Sequence, residues 1–89
     1  MERTTFVVEH DRPGDNVSVL LKVVSTDGRQ VWSKSVTDSS MSGICMVDWN
    51  LSDSNGALVS PGIYLVHVVL EDADGATHTA VNKLIIVRN

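Results

Sequence analysis

Apolar residues along this chain recur in short segments rich in β-branched side chains, cut by clusters of Gly, Pro, Asn and Asp, and no segment carries a 3.6-residue period. The pattern predicts strands over Thr4–Glu9, Val17–Ser25, Gln30–Val36, Ile44–Leu51, Ile63–Glu71 and Ala76–Arg88, with room for a very short one at Ala57–Val59. The first ends at His10-Asp11-Arg12-Pro13-Gly14, because proline lacks a ladder donor and glycine permits the turn. Asp27-Gly28 is a pair that tolerates the positive φ angles of a two-residue hairpin, and Asp74-Gly75 signals a second tight hairpin. Ile44–Leu51 alternates, which places Cys45, Val47, Trp49 and Leu51 together on an inward face. Ile63–Glu71 is apolar on both faces except at His67, the mark of a central strand covered on both sides for most of its length. The last segment is long enough to bend or switch sheets near Asn82.

About seven antiparallel strands with a turn signal roughly every 10 residues make an all-β sandwich of two packed sheets the economical architecture. Phe6, Trp32, Trp49 and Tyr64 fall in four different strands and are placed to pin the sheets together.

Composition narrows the function. The chain has 89 residues, 43% apolar and 20% charged, which fits one folded domain and leaves no room for a catalytic domain beside it. Such a domain stands alone or is a piece of a larger protein. Its net charge of −4 and dispersed basic residues argue against nucleic acid and anionic membrane, both of which need clustered cations. Apolar runs such as Val17–Val24 are interrupted by Lys22 and are far too short to span a bilayer. No stretch reads as a signal peptide, so the targeting information of an exported protein is expected upstream of Met1.

Candidate chemistry is sparse. Asp53, Asn55 and Gly56, and again Asp72, Asp74 and Gly75, imitate part of a calcium loop. Leu51 or Leu70 would then hold the first ligand position and Gly62 or Val81 the bidentate glutamate position, so these residues read as turn formers. His10, His67 and His78 show no zinc spacing. His67 reads as a half-buried histidine at the sheet margin, and His10 as a turn residue, where its ring or the Asp11 carboxylate bonds nearby backbone donors. Cys45 shares a face with Val47 and Trp49, where a thiol behaves as a small buried hydrophobe rather than a nucleophile. Asn16-Val17-Ser18 and Asn50-Leu51-Ser52 match the N-glycosylation pattern, which is short enough to arise by chance. No catalytic residue, metal ligand or cofactor is expected.

Several stretches carry a family resemblance. Asp27-Gly28-Arg29-Gln30-Val31-Trp32, the long segment from Trp49 through Gly56, Pro61 and Gly62 to Tyr64, and Lys83-Leu84-Ile85-Ile86-Val87 resemble elements shared by two groups. These are the immunoglobulin-like domain of flagellar hook-capping proteins and the C-terminal sorting domains of the bacterial type IX (Por) secretion system. The stretch Phe6–Gly14, with His10, Arg12, Pro13 and Gly14, resembles the element that opens the C-terminal domain of that system's gingipain-like sortase. The resemblance covers nearly the whole chain and implies an immunoglobulin-like β-sandwich exported to the outer-membrane surface. It also implies a non-enzymatic role: recognition by the secretion machinery, with an outer-membrane β-barrel shuttle protein as partner. In most cargo such a domain is cleaved off, whereas in the sortase it is retained as an anchor. A terminal strand offers backbone edge and side chains together, so Lys83, Leu84, Ile85, Ile86 and Val87 are the expected partner-binding residues. An assembly scaffold of the hook-capping kind and a carbohydrate-binding accessory module are the rival readings.

Overall fold

Residues 3–10, 14, 16–39, 41 and 43–87 are described by the computed structural model; Arg12 and Pro13 of the sequence motif lie outside them. Six strands follow one another: β1 (Thr4–Glu9), β2 (Val17–Ser25), β3 (Gln30–Asp38), β4 (Ile44–Trp49), β5 (Gly62–Glu71) and β6 (Thr77–Ile86). They form a two-stranded sheet, β1-β4, and a four-stranded sheet ordered β3-β2-β5-β6, with every pairing antiparallel. The seventh expected strand, Ala57–Val59, is reduced to a single bridge between Ser52 and Leu58. β6 pairs with β5 without interruption from Thr77 to Ile86, so it neither bends away nor changes sheet at Asn82.

Alternation decides which faces meet. Along β2, Val17, Val19, Leu21 and Val23 are fully buried, and Cys45, Val47 and Trp49 of β4 close over them from the small sheet. Each such side chain contributes roughly 1.5–3 kcal/mol by leaving water. Phe6, Trp32 and Trp49 stack in one cluster, with centroids 5.2 Å apart for the two indoles and 6.2 Å for Phe6 and Trp49. Tyr64 does a different job: its hydroxyl donates to the carbonyl of Ser60 at 2.6 Å, a tyrosine corner that ties β5 to the loop before Pro61 and Gly62.

The turns are longer than the sequence pairs implied. Ser25 N–H donates to the Arg29 carbonyl and Gly28 N–H to the Ser25 carbonyl, so three residues, not two, separate the closing pair. Only Gly28 takes a positive φ, of 89°. Asp53–Ala57 and Asp72–Ala76 repeat this geometry, each aspartate Oδ1 accepting from two backbone N–H groups of its own turn. In the first turn the Ser25 hydroxyl donates instead to the Asp27 carboxylate. Asp53 and Asp72 thus act as turn anchors.

One glycine closes the β1-β4 sheet. Gly43 has φ 71°, and its carbonyl accepts from His10 N–H at 2.9 Å. A Cβ there would lie 2.8 Å from the His10 carbonyl oxygen, a backbone atom that cannot step aside. Gly43→Ala is therefore expected to cost about 2 kcal/mol or more, read as a lowered urea midpoint. Gly28→Ala meets no such clash and should cost less.

Candidate docking surface

The edges of the four-stranded sheet are β3 and β6. The two-stranded sheet is too narrow to cover β6, and all seven residues from Thr77 to Lys83 are exposed. Its outer backbone edge has no strand partner among the described residues. Within the expected partner segment the pleat divides the labour: Leu84 packs on the core and Ile86 is buried within it, while Lys83, Ile85 and Val87 face solvent. β6 also carries few of the usual protections of an edge: it has no proline and no bulge in its register, and Lys83 is its one lysine.

The face of this sheet turned away from β1 and β4 is uncovered, contrary to the double covering expected for Ile63–Glu71. That segment is central, yet its second face carries no layer among the described residues, and Ile63 keeps 45% of its surface exposed. Register places Leu20 beside Val69 and Thr79, Lys22 beside His67 and Val81, and Val24 beside Leu65 and Lys83. Ile63 and Ile85 complete the last row. His67 therefore lies mid-face rather than at the margin. The reason sequence misled is simple: an apolar run reports faces that avoid water, and does not say whether the cover is in the same chain.

The His10 ring finds a partner far from its own segment. Its Nε2 lies 2.6 Å from Asp38 Oδ2, with side chains 2% and 11% exposed, so it clips the end of β1 to the end of β3. No local signal announces a contact 28 residues apart in sequence. Among the remaining motif residues, Gly14 takes φ 85° in the turn after β1 and Gly56 φ 87° in the Asp53 turn. Asp27, Gly28 and Arg29 close the β2-β3 hairpin, and Trp49 Nε1 donates to the Ser52 carbonyl at 2.8 Å. The Asp27 carboxyl is held below its ordinary value, first by the Ser25 hydroxyl and then by the Arg29 backbone N–H. Its stabilisation is present above the unfolded pKa and fades as pH falls through the lowered folded value.

Cys45 is a free, buried thiol, and burial, with a smaller push from the charge of Asp38, raises its pKa. The thiolate is scarcer than in an ordinary cysteine, so alkylation by iodoacetamide at pH 8 should run at least about tenfold slower in the native chain than in urea. Among the described residues no group of three His, Cys, Asp or Glu is placed to hold a metal ion, and no helix is long and apolar enough to cross a membrane.

Two sheets stacked face to face, a tyrosine corner and the connection from β3 across to β4 define an immunoglobulin-like β-sandwich. Dimeric latent PorU from Porphyromonas gingivalis contains a domain that superposes with a TM-score of 0.84 at 28% identity; the match covers 99% of this chain and 8% of PorU. FlgD from Xanthomonas campestris, studied for the hook capping essential for flagellar assembly, superposes with a TM-score of 0.71 at 22% identity, over 91% of this chain and 56% of FlgD. No protein-family model matches the chain. No curated protein matches it either.

Proposed function

We propose that this chain is a non-enzymatic C-terminal sorting and anchoring domain, recognised at the outer membrane by the type IX secretion machinery through β6 and the β5-β6 hairpin. The observation that carries this reading is β6: a ten-residue edge strand exposed on both faces for its first seven residues, with Lys83 as its one lysine and no proline. Such an edge takes up a partner's strand through backbone hydrogen bonds while alternate side chains supply selectivity. The likeness to one domain of PorU over 99% of the chain supports the secretion context, while the likeness to FlgD at 22% identity speaks for the fold alone. Carbohydrate binding is disfavoured because the aromatic rings are engaged inside: Trp49 is 1% and Tyr64 7% exposed, and Phe6 and Trp32 pack against the core. The partner in this reading is the outer-membrane β-barrel shuttle protein, and the parent protein is exported to the surface.

Binding of the purified chain to that shuttle protein tests the reading. Deleting Lys83–Asn89 should abolish both docking and folding, since Ile86 and Leu84 leave the core with it, so a second variant is needed. Ala80→Lys combined with Asn82→Lys adds two charges to exposed edge positions without touching the core. It should melt within a few degrees of the parent chain and bind the shuttle at least about tenfold more weakly. Undiminished binding by that folded variant would remove β6 from the mechanism.

A further inference from the structure

We infer that the outer face of the four-stranded sheet is a docking surface in its own right, and that its occupant is a protein surface of apolar side chains flanked by carboxylates. The inference goes beyond the sorting reading: it concerns the face spanning β2, β5 and β6, which shares Lys83 and Ile85 with the expected partner segment, rather than the backbone edge.

Two observations carry it. The face is apolar and open, with Ile63, Val81 and Ile85 exposed at 45%, 52% and 58% and no layer over them among the described residues. Its charge is also opposite to that of the molecule. The chain has 11 acidic side chains against 7 basic ones, yet the rows from Ile63 to Val69 hold Lys22, His67 and Lys83 and no carboxylate; the first is Glu71, at the far end of β5. A protein that places its acids elsewhere and its cations among exposed aliphatic side chains is complementary to an acidic, apolar counterpart.

The other occupants fit less well. A bilayer surface is held by clusters of roughly four to eight Lys or Arg, and this face offers two lysines on a domain of net charge −4. A second copy stacked face to face would set cations against cations. Strand spacing and rise give the face a span of roughly 14 by 20 Å, or about 300 Å². A stable interface buries about 800 Å² per partner, so the face works with adjoining surface, and the free edge of β6 is continuous with it.

The test uses the parent protein in its own cells, with the photo-crosslinking residue benzoylphenylalanine at Val81 on this face and, as control, at Met46 on the opposite sheet, which is 69% exposed. The expected result is a Val81 adduct to one protein segment that carries Asp or Glu among apolar residues, with little adduct at Met46. Lys22→Glu with Lys83→Glu should lower the Val81 yield about tenfold, and Lys22→Arg with Lys83→Arg should keep it. A melting curve on each pair shows whether the fold is retained. Adducts to lipid, to a second copy or to a neutral or basic segment would overturn the inference, as would no adduct, or a yield indifferent to charge reversal in a folded variant. Should the chain fail to direct surface display while the charge-dependent adduct persists, the sorting reading falls and the face remains.

Discussion

Trp49→Ala is expected to bring the domain to the brink of unfolding. The indole is 1% exposed, stacks on Trp32 and Phe6, and donates to the Ser52 carbonyl, so alanine removes packing from both sheets and a hydrogen bond at once. Truncations of this size cost about 3–5 kcal/mol, while a domain of this length has a total of roughly 4–13 kcal/mol to lose. The melting temperature should fall by something of the order of 20 °C, or the chain should be unfolded at 25 °C. Trp49→Phe keeps part of the stack and should cost clearly less. A loss under about 1 kcal/mol would mean that the sheets are not joined through this cluster.

The second large effect is expected at His10. Its ring and the Asp38 carboxylate meet in a nearly dry setting, and taking one partner from a buried hydrogen bond costs about 1–3 kcal/mol. His10→Ala should therefore destabilise far more than a surface histidine change such as His78→Ala, which sits on the exposed strand. The pair is a single unit, so His10→Ala with Asp38→Ala should cost less than the sum of the two single changes, and urea unfolding of the four proteins in a double-mutant cycle reads that difference. Additive costs would show that the contact does not couple β1 to β3.

What sequence made legible follows from the range over which each signal acts. Alternation is local, and it placed β2 at Val17–Ser25 and β1 at Thr4–Glu9, with Cys45, Val47, Trp49 and Leu51 turned inward. Turn residues are local too, yet Asp27-Gly28 told only that a turn existed. Its three-residue length depends on Ser25 and Arg29 closing around it. The pairing of β1 with β4, the clip between His10 and Asp38, and the straight course of β6 are contacts between distant parts of the chain, and no periodicity encodes them. The docking surface shows the same limit from the other side. Ile63–Glu71 reads as covered on two faces because its residues are apolar on both, and the uncovered face emerges only once both sheets have been placed.

Recognition through the last strand is most directly tested by transplanting it. Fused to the C-terminus of a periplasmic reporter in a bacterium that carries the type IX machinery, this chain should bring the reporter to the cell surface, measured as its sensitivity to protease added outside. The same fusion with Ala80→Lys and Asn82→Lys should accumulate in the periplasm, folded and protected. A wild-type fusion that never leaves the periplasm, or an edge variant displayed as well as the parent, would contradict the claim that this exposed edge strand is what the outer membrane reads.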